Sequence, residues 1–302
     1  MVKAEKGACF CPKNRPGFRA DAACCPECGL DAAMKKKLLA ILKDDIGVGD
    51  VTGDLLLPEK CSASVVVKED CIVAGLEEAV FLFRSQGVEA TPLLKDGCAA
   101  KKGSPVLSLA GLNRKILAVE RTALNVLGRM SGIAATCAVA KGIAGGGVMI
   151  ALTRKTMPGF NLFEKKAACL AGVWPHRINL NSFVLLKDNH LPFFGSAFEA
   201  VAAARKKHGK KMLVEVEVET MQQAFDAARA KPDIIMLDNF SAKHARIAVK
   251  RLRPFFGGKI ELSGGITLGN LRRYAMAKPD IISMGCLTHS TGWRDFSLRI
   301  EK

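Results

Sequence analysis

Six times in the second half of the chain, a short apolar run rich in β-branched residues leads into residues able to carry chemistry. Run 148–152 is followed by Thr153-Arg154-Lys155-Thr156, and run 183–186 by Lys187-Asp188-Asn189-His190. Glu215 and Glu217 alternate with valines within 212–218. Run 234–237 ends at Asp238-Asn239, run 259–262 at Ser263-Gly264-Gly265, and run 280–283, closing on Ser283, at Gly285. Cations dominate this set. Arg154, Lys155, His176, Arg177 and Lys187 at one mouth would repel each other unless a multiply anionic ligand sat among them. Arginine offers a planar fork to carboxylate or phosphate, and lysine a point charge. Ser263-Gly264-Gly265 ahead of a helical pattern would turn backbone N–H groups toward a phosphate. Glu217 and Asp238 on neighbouring strands could hold Mg²⁺ through water or bind sugar hydroxyls, and would also offset the lysines. No Ser/His/Asp or Cys/His arrangement for covalent catalysis accompanies them.

Such residues need elements that aim them. Helical patterns at 197–207, 221–230, 242–252 and 268–275 separate most of these runs. Strand–helix repetition implies parallel strands with right-handed crossovers, with the chemistry at the strands' carboxyl ends. Periodicity alone leaves a closed barrel and an open sheet equally possible. Upstream, a helix is expected from Asp31, with Leu38, Leu39 and Leu42 on one face, stopping before Gly47 and Gly49. Strands at 64–68, 71–74, 91–94 and 105–110, with a helix at 76–85, suggest a small α+β domain. A helical region over 114–143 follows, with a break expected near Gly132. It carries an apolar stripe of Leu117, Leu124, Leu127 and Met130 beside a polar stripe of Arg121, Asn125 and Arg129.

Composition sets the outer bounds. The 302 residues hold 45 Lys+Arg against 29 Asp+Glu, a net +16, which implies anionic partners. A hydrophobic content of 49% with 25% charged residues excludes disorder as the main state. No apolar run is expected to reach a membrane span, since the closest stretch, 133–152, is broken by Lys141 and glycines. With no apolar h-region after Met1 to Lys6, a soluble cytoplasmic protein is expected. Eleven cysteines, an odd number, argue against a disulfide framework. Within 1–32, Cys25-Pro-Glu-Cys28 resembles a zinc-knuckle turn, and Cys9-Phe-Cys11 could close a tetrahedral thiolate site. The other reading of that segment is a tail with free thiols.

The motifs, taken in order, resemble those of the quinolinate phosphoribosyltransferases. They are Asp45-Ile-Gly-Val-Gly-Asp-Val-Thr52, Glu120-Arg-Thr-Ala-Leu-Asn125, Arg129-Met-Ser-Gly-Ile133, Thr153-Arg-Lys-Thr-Met-Pro-Gly159, His176-Arg177, Leu186-Lys-Asp-Asn-His190, Val214-Glu-Val-Glu217, Leu237-Asp-Asn-Phe240, Leu262-Ser-Gly-Gly-Ile266 and Leu287-Thr-His-Ser290. The resemblance runs from about residue 33 to the C-terminus. It implies an N-terminal α/β sandwich over 33–112, joined by the tail 288–302, and an incomplete, open α/β barrel over 113–287. It implies transfer of a phosphoribosyl group from phosphoribosyl pyrophosphate to quinolinate with decarboxylation, assisted by Mg²⁺, in a homodimer or higher homo-oligomer with shared active sites. Arg121, Arg154, Lys155, His176, Arg177 and Lys187 would then surround quinolinate. Glu217 and Asp238 would lie beside ribose and metal, and Ser263, Gly264, Gly265, Ser283 and Gly285 would hold phosphate. Lys155, Lys187, Glu217 and Asp238 would be the catalytic set. The chain departs from the family pattern at Asn161, usually Arg, at Ala171-Gly-Val-Trp174, usually a glycine run, and at Ser182, usually Asp. Two other readings are a relative linked to molybdenum utilisation with another acceptor, and a nucleic-acid-binding module using the basic surface. Against the latter, aromatics are only 6% and no basic stretch is interleaved with them.

Overall fold

Apolar spacing builds the first elements. In the computed structural model, which describes residues 29–301, helix α1 (Ala32–Ile46) buries Met34, Leu38 and Leu42, four residues apart. The Asp31 carboxylate accepts the Met34 N–H at 2.7 Å as N-cap. Gly47, at φ 61°, closes the helix by donating its N–H to the Lys43 carbonyl. The proposed thiolate ligands Cys9, Cys11, Cys25 and Cys28 lie outside the described residues.

The described chain divides into two compact units, one holding 29–137, 156–171 and 290–301, the other 138–155 and 172–289. The first unit carries an antiparallel sheet in the order β12 (Phe296–Glu301), β1 (Lys60–Val67), β5 (Pro105–Leu112), β3 (Glu89–Pro92). Val65 sits opposite Leu107 on one side and Leu298 on the other, so one register serves three strands. A two-stranded ladder joins β2 (Cys71–Ile72) to β4 (Ala99–Ala100), and helix α2 (Leu76–Ser85) buries Leu76, Ala79, Leu82 and Phe83.

Helix α3 (Asn113–Ala144) runs unbroken through Gly132, where a break was expected. The glycine serves packing instead. A Cβ at Gly132 would collide with the Gly292 carbonyl, and one at Gly128 would come within 2.7 Å of the Arg294 carbonyl. The Arg294 N–H donates to the Gly128 carbonyl at 3.0 Å, so both glycines let the chain leading to β12 lie against the helix. By length and apolarity α3 could cross a bilayer, contrary to the expectation that no run would qualify. Of its most apolar window, 78% is buried inside the protein, which makes it a core helix.

Helix α4 (Asn161–Leu170) had no counterpart among the expected elements. Its buried face includes Glu164, Lys165 and Lys166, so it shows no apolar stripe. Glu164 accepts from Arg129 Nε at 2.9 Å, and the Lys166 ammonium pairs with Glu78 at 2.8 Å and with Glu77. Buried charges of this kind are tolerable only because each has its partner. With 113–137 and 156–171 in the first unit, the division differs from a boundary at residue 112.

The second unit is a parallel six-stranded sheet in the order β6 (Met149–Ala151), β11 (Ile281–Ser283), β10 (Lys259–Ser263), β9 (Ile234–Asp238), β8 (Val214–Val218), β7 (Val184–Leu186). Each strand from β8 to β11 pairs with the one before it, and β11 also pairs with β6. Helices α5 (Ala197–His208), α6 (Met221–Arg229), α7 (Ala242–Leu252) and α8 (Leu271–Ala275) make the crossovers. β6 and β7 share no ladder, so the barrel is open there, and Trp174 pairs in parallel with Ala151 on the free edge of β6. All five residues of β8 are buried, as both faces of a covered parallel sheet require. Ala151, Trp174, Phe183, Leu213, Ile234 and Ile281 form one buried apolar cluster.

Candidate active site

A cavity of about 560 Å³ opens at the carboxyl ends of the six strands. It is lined by Arg154 and Lys155 after β6, Lys187 after β7, Glu217 on β8, Asp238 ending β9, Ser263 ending β10 with Gly264 and Gly265 beyond it, and Ser283 ending β11 with Gly285 beyond it. His176 and Arg177, from the stretch at the barrel opening, complete the ring. Every residue expected at this mouth lines it except Arg121, which is exposed on α3 in the first unit.

Local backbone chemistry aims these groups. The Lys155 N–H donates to Thr153 Oγ1 at 3.1 Å, turning the chain sharply after β6. Helix α9 (Cys286–His289) pins the same turn, because Thr288 Oγ1 donates to the Lys155 carbonyl at 2.6 Å. Asn239, at φ 56°, donates its N–H to the Ser263 carbonyl at 3.0 Å. Gly264, at φ 89°, leaves room for it, since a Cβ there would lie 2.6 Å from the Asn239 nitrogen. The turn after β10 therefore depends on glycine both for its dihedral and for its clearance. After β7, the Lys187 N–H donates to His190 Nδ1 at 2.9 Å, which gives His190 a structural task. Ser182 closes the stretch after Arg177, its Oγ accepting from the Ile178 and Asn179 N–H groups.

Lys187 Nζ meets Glu217 Oε2 at 2.5 Å. Burial pushes the Glu217 carboxyl up, Lys187 pulls it down, and the charges of Asp238 and Asp188 push it up again. Burial lowers the Arg177 pKa, Glu215 opposes that, the Arg154 charge adds to it, and Glu217 opposes it as well. His176 is buried with its Nε2 at 3.3 Å from Glu215 and 3.5 Å from Glu261. Burial alone would lower its pKa, but the two carboxylates outweigh burial and lift it to about 9.

Asn239 and His289, present in the motifs but given no role there, also line the cavity, and so does Thr267, which no motif pointed to. Glu261 was not singled out, although a glutamate between isoleucine and leucine in a buried parallel strand was a signal, as Glu215 between valines was.

Comparison with known proteins agrees over most of the described chain. The model of the quinolinate phosphoribosyl transferase C-terminal domain matches residues 133–299, and that of the N-terminal domain residues 50–131. The chain belongs to the quinolinate phosphoribosyltransferase family. It is 38% identical over 283 residues to a probable nicotinate-nucleotide pyrophosphorylase [carboxylating] of Methanocaldococcus jannaschii, covering 89% of this chain and 99% of that one. It is 36% identical over 242 residues to the nicotinate-nucleotide pyrophosphorylase [carboxylating] of Homo sapiens, covering 79% and 82%. The solved nicotinate-nucleotide pyrophosphorylase of Ehrlichia chaffeensis superposes with a TM-score of 0.85 at 31% identity, covering 90% of this chain and 100% of that one. As a quinolinate phosphoribosyltransferase family member, the chain has an N-terminal domain and an α/β barrel-like C-terminal domain, the fold expected from its motifs. Its own departures have structural work to do: Trp174 pairs with β6 and stacks on Phe183, and Ser182 closes the turn after Arg177.

Proposed function

We propose that the chain transfers a phosphoribosyl group from phosphoribosyl pyrophosphate to quinolinate, releasing pyrophosphate and CO₂ and forming nicotinate mononucleotide. The observation carrying this reading is that Arg154, Lys155, Arg177 and Lys187 line one cavity together with the glycine turns after β10 and β11. Two carboxylates on a pyridine ring satisfy the cations, and N–H groups at the turns suit phosphate.

The chemistry asks the protein for position and charge. The pyridine nitrogen forms a bond to the anomeric carbon of ribose as the carbon–oxygen bond to pyrophosphate breaks. The ring nitrogen becomes cationic, and this cation stabilises the electron pair left on the neighbouring carbon when its carboxylate departs as CO₂. A proton then takes that carbon's lone pair. No side chain need act as nucleophile. Arg154 and Arg177 orient the acceptor's carboxylates, Lys155 and Lys187 balance charge that moves during reaction, and Glu217 holds Lys187 in place. Glu217 and Asp238, hard oxygen donors whose charges crowd each other with Asp188, fit a Mg²⁺ ion. Bound there, the ion would neutralise phosphate charge on the donor.

Arg121 enters this scheme from a second copy of the chain, in a homodimer or larger assembly with shared sites. Exposed Val48, Val51, Leu55 and Leu57 on the first unit supply apolar surface for such an assembly. The test of the function is direct. Purified protein with quinolinate, phosphoribosyl pyrophosphate and Mg²⁺ should release CO₂ and nicotinate mononucleotide in equal amounts, and absence of both products rejects the reading.

A further inference from the structure

Under the mouth lies a cluster that the reaction scheme does not use. Glu215 on β8 and Glu261 on β10 are both fully buried, and each reaches toward His176 Nε2, at 3.3 and 3.5 Å. Beyond that contact, no hydrogen bond reaches any of the four carboxylate oxygens among the described residues. The His176 ring is wedged between Trp174 and Phe183, with centroids 4.7 and 5.2 Å away. Its backbone stands at φ 55°, in the left-handed region that few non-glycine residues adopt. The same ring borders the cavity, so His176 touches the carboxylates below and the acceptor space above.

Two buried carboxylates need compensating charge. The charged groups around His176 are Glu215, Glu261 and its neighbour Arg177, whose charge acts on Glu215. Trp174 and Phe183 offer uncharged faces. When both glutamates are ionised, an imidazolium and a guanidinium together balance the two carboxylates. The three ligand atoms are close enough together to suggest a metal ion instead. A divalent cation would require a neutral imidazole and would add two charges beside Arg177, leaving the cluster with a net positive charge.

We propose that Glu215 and Glu261 are positioning residues that hold His176 as a cation beneath the acceptor, so that the floor of the cavity selects a second carboxylate. With Nε2 facing the two carboxylates at 3.3 and 3.5 Å, a protonated ring keeps its other N–H as well and presents no lone pair to the cavity. A neutral ring would lose that charge, and the floor would no longer favour an anion. The inference rests on the acceptor reading above. The direction of the His176 shift agrees with it, since burial by itself would have produced a neutral ring.

The test separates charge from activity. In wild-type protein carrying ¹³C-labelled histidine, the His176 signal, assigned by its loss in His176→Gln, should titrate near pH 9. In Glu261→Gln and in Glu215→Gln, each of nearly equal size to glutamate, its proton affinity should fall by about tenfold or more. KM for quinolinate should rise with pH as the wild-type ring titrates. In the variants that rise should move to lower pH, while KM for phosphoribosyl pyrophosphate stays put. Three results overturn the proposal: a wild-type His176 that titrates at or below about pH 6.5, variants that lose only stability or kcat with an unmoved KM profile, or stoichiometric metal in the purified protein that disappears in His176→Gln. If the wild type makes no product from quinolinate, the function reading fails by itself, and the titration still decides whether the carboxylates hold a cation.

Discussion

Lys187 and Glu217, on neighbouring strands of the open barrel, meet at 2.5 Å at the rim of the cavity. The pair sets a carboxylate against a cation among the residues that line the cavity. The Lys187 side chain is 41% exposed, so the contact positions the ammonium more than it stabilises the fold. Lys187→Ala should lower kcat/KM by about 10²- to 10³-fold, the scale for loss of one preorganised charge partner, and leave the melting temperature nearly unchanged. Near-wild-type turnover would show that Lys187 does not touch reacting charge.

The cation ring also predicts acceptor choice. Nicotinic acid, with one carboxylate fewer than quinolinate, should react with a kcat/KM lower by about 10⁴-fold, because partly buried cations are left unpaired. Comparable kcat/KM for the two acids in parallel assays would refute a site built for a dicarboxylate.

Two glycines of α3 give a paired stability test. Gly132→Ala should destabilise by about 1–3 kcal/mol, since its Cβ meets the rigid Gly292 carbonyl. Gly142→Ala, in the same helix with open space around its Cβ, should stabilise by about 0.5–1 kcal/mol through helix propensity. Urea unfolding of both variants reads the difference, and equal effects would contradict the packing account.

Arg121 and Lys187 should complement each other across subunits. Arg121→Ala and Lys187→Ala should each be inactive alone. Co-expressed, they should recover up to about a quarter of wild-type activity, because random pairing makes half the dimers mixed and each mixed dimer keeps one intact site. Mixed dimers confirmed by tag pull-down but without recovered activity would mean that Arg121 serves its own subunit.

Stability should depend on pH through the buried cluster. His176 is raised from 6.5 to about 9. Glu215 is raised from 4.5 to about 7 by burial and by Glu261, against the pull of His176 and Arg177. Both groups bind protons more tightly when folded, so their contribution is full below the unfolded values and fades as pH rises toward about 9. In a Glu215→Gln/Glu261→Gln double variant, the buried imidazole should instead favour its neutral form, which reverses the slope. The melting-temperature gap between wild type and this variant should therefore shrink from pH 5 to pH 9. A constant gap would show that the carboxylates do not govern His176.

Much of this protein was legible in its residues. Strand periodicity located all six strands of the barrel to within a residue or two, because a buried parallel strand is mostly apolar and rich in β-branched residues. The residues after those strands were readable for the same reason: the carboxyl end of a parallel strand is where the chain leaves the core and polar groups become affordable. What periodicity could not reveal were features whose cause is a distant partner. Helix α4 has no apolar stripe, and its Glu164 and Lys166 are buried only because Arg129, Glu77 and Glu78 come from elsewhere in the chain. Gly132 looked like a helix break and is a contact surface for Gly292. His176 read as a residue of the mouth, while tertiary structure set Glu215 and Glu261 beneath it and thereby determined its charge. Local sequence determines where a strand ends and what it exposes. Only the fold determines which buried charge finds which partner, because pairing energy depends on distance and burial, and neither is written in the spacing of residues along the chain.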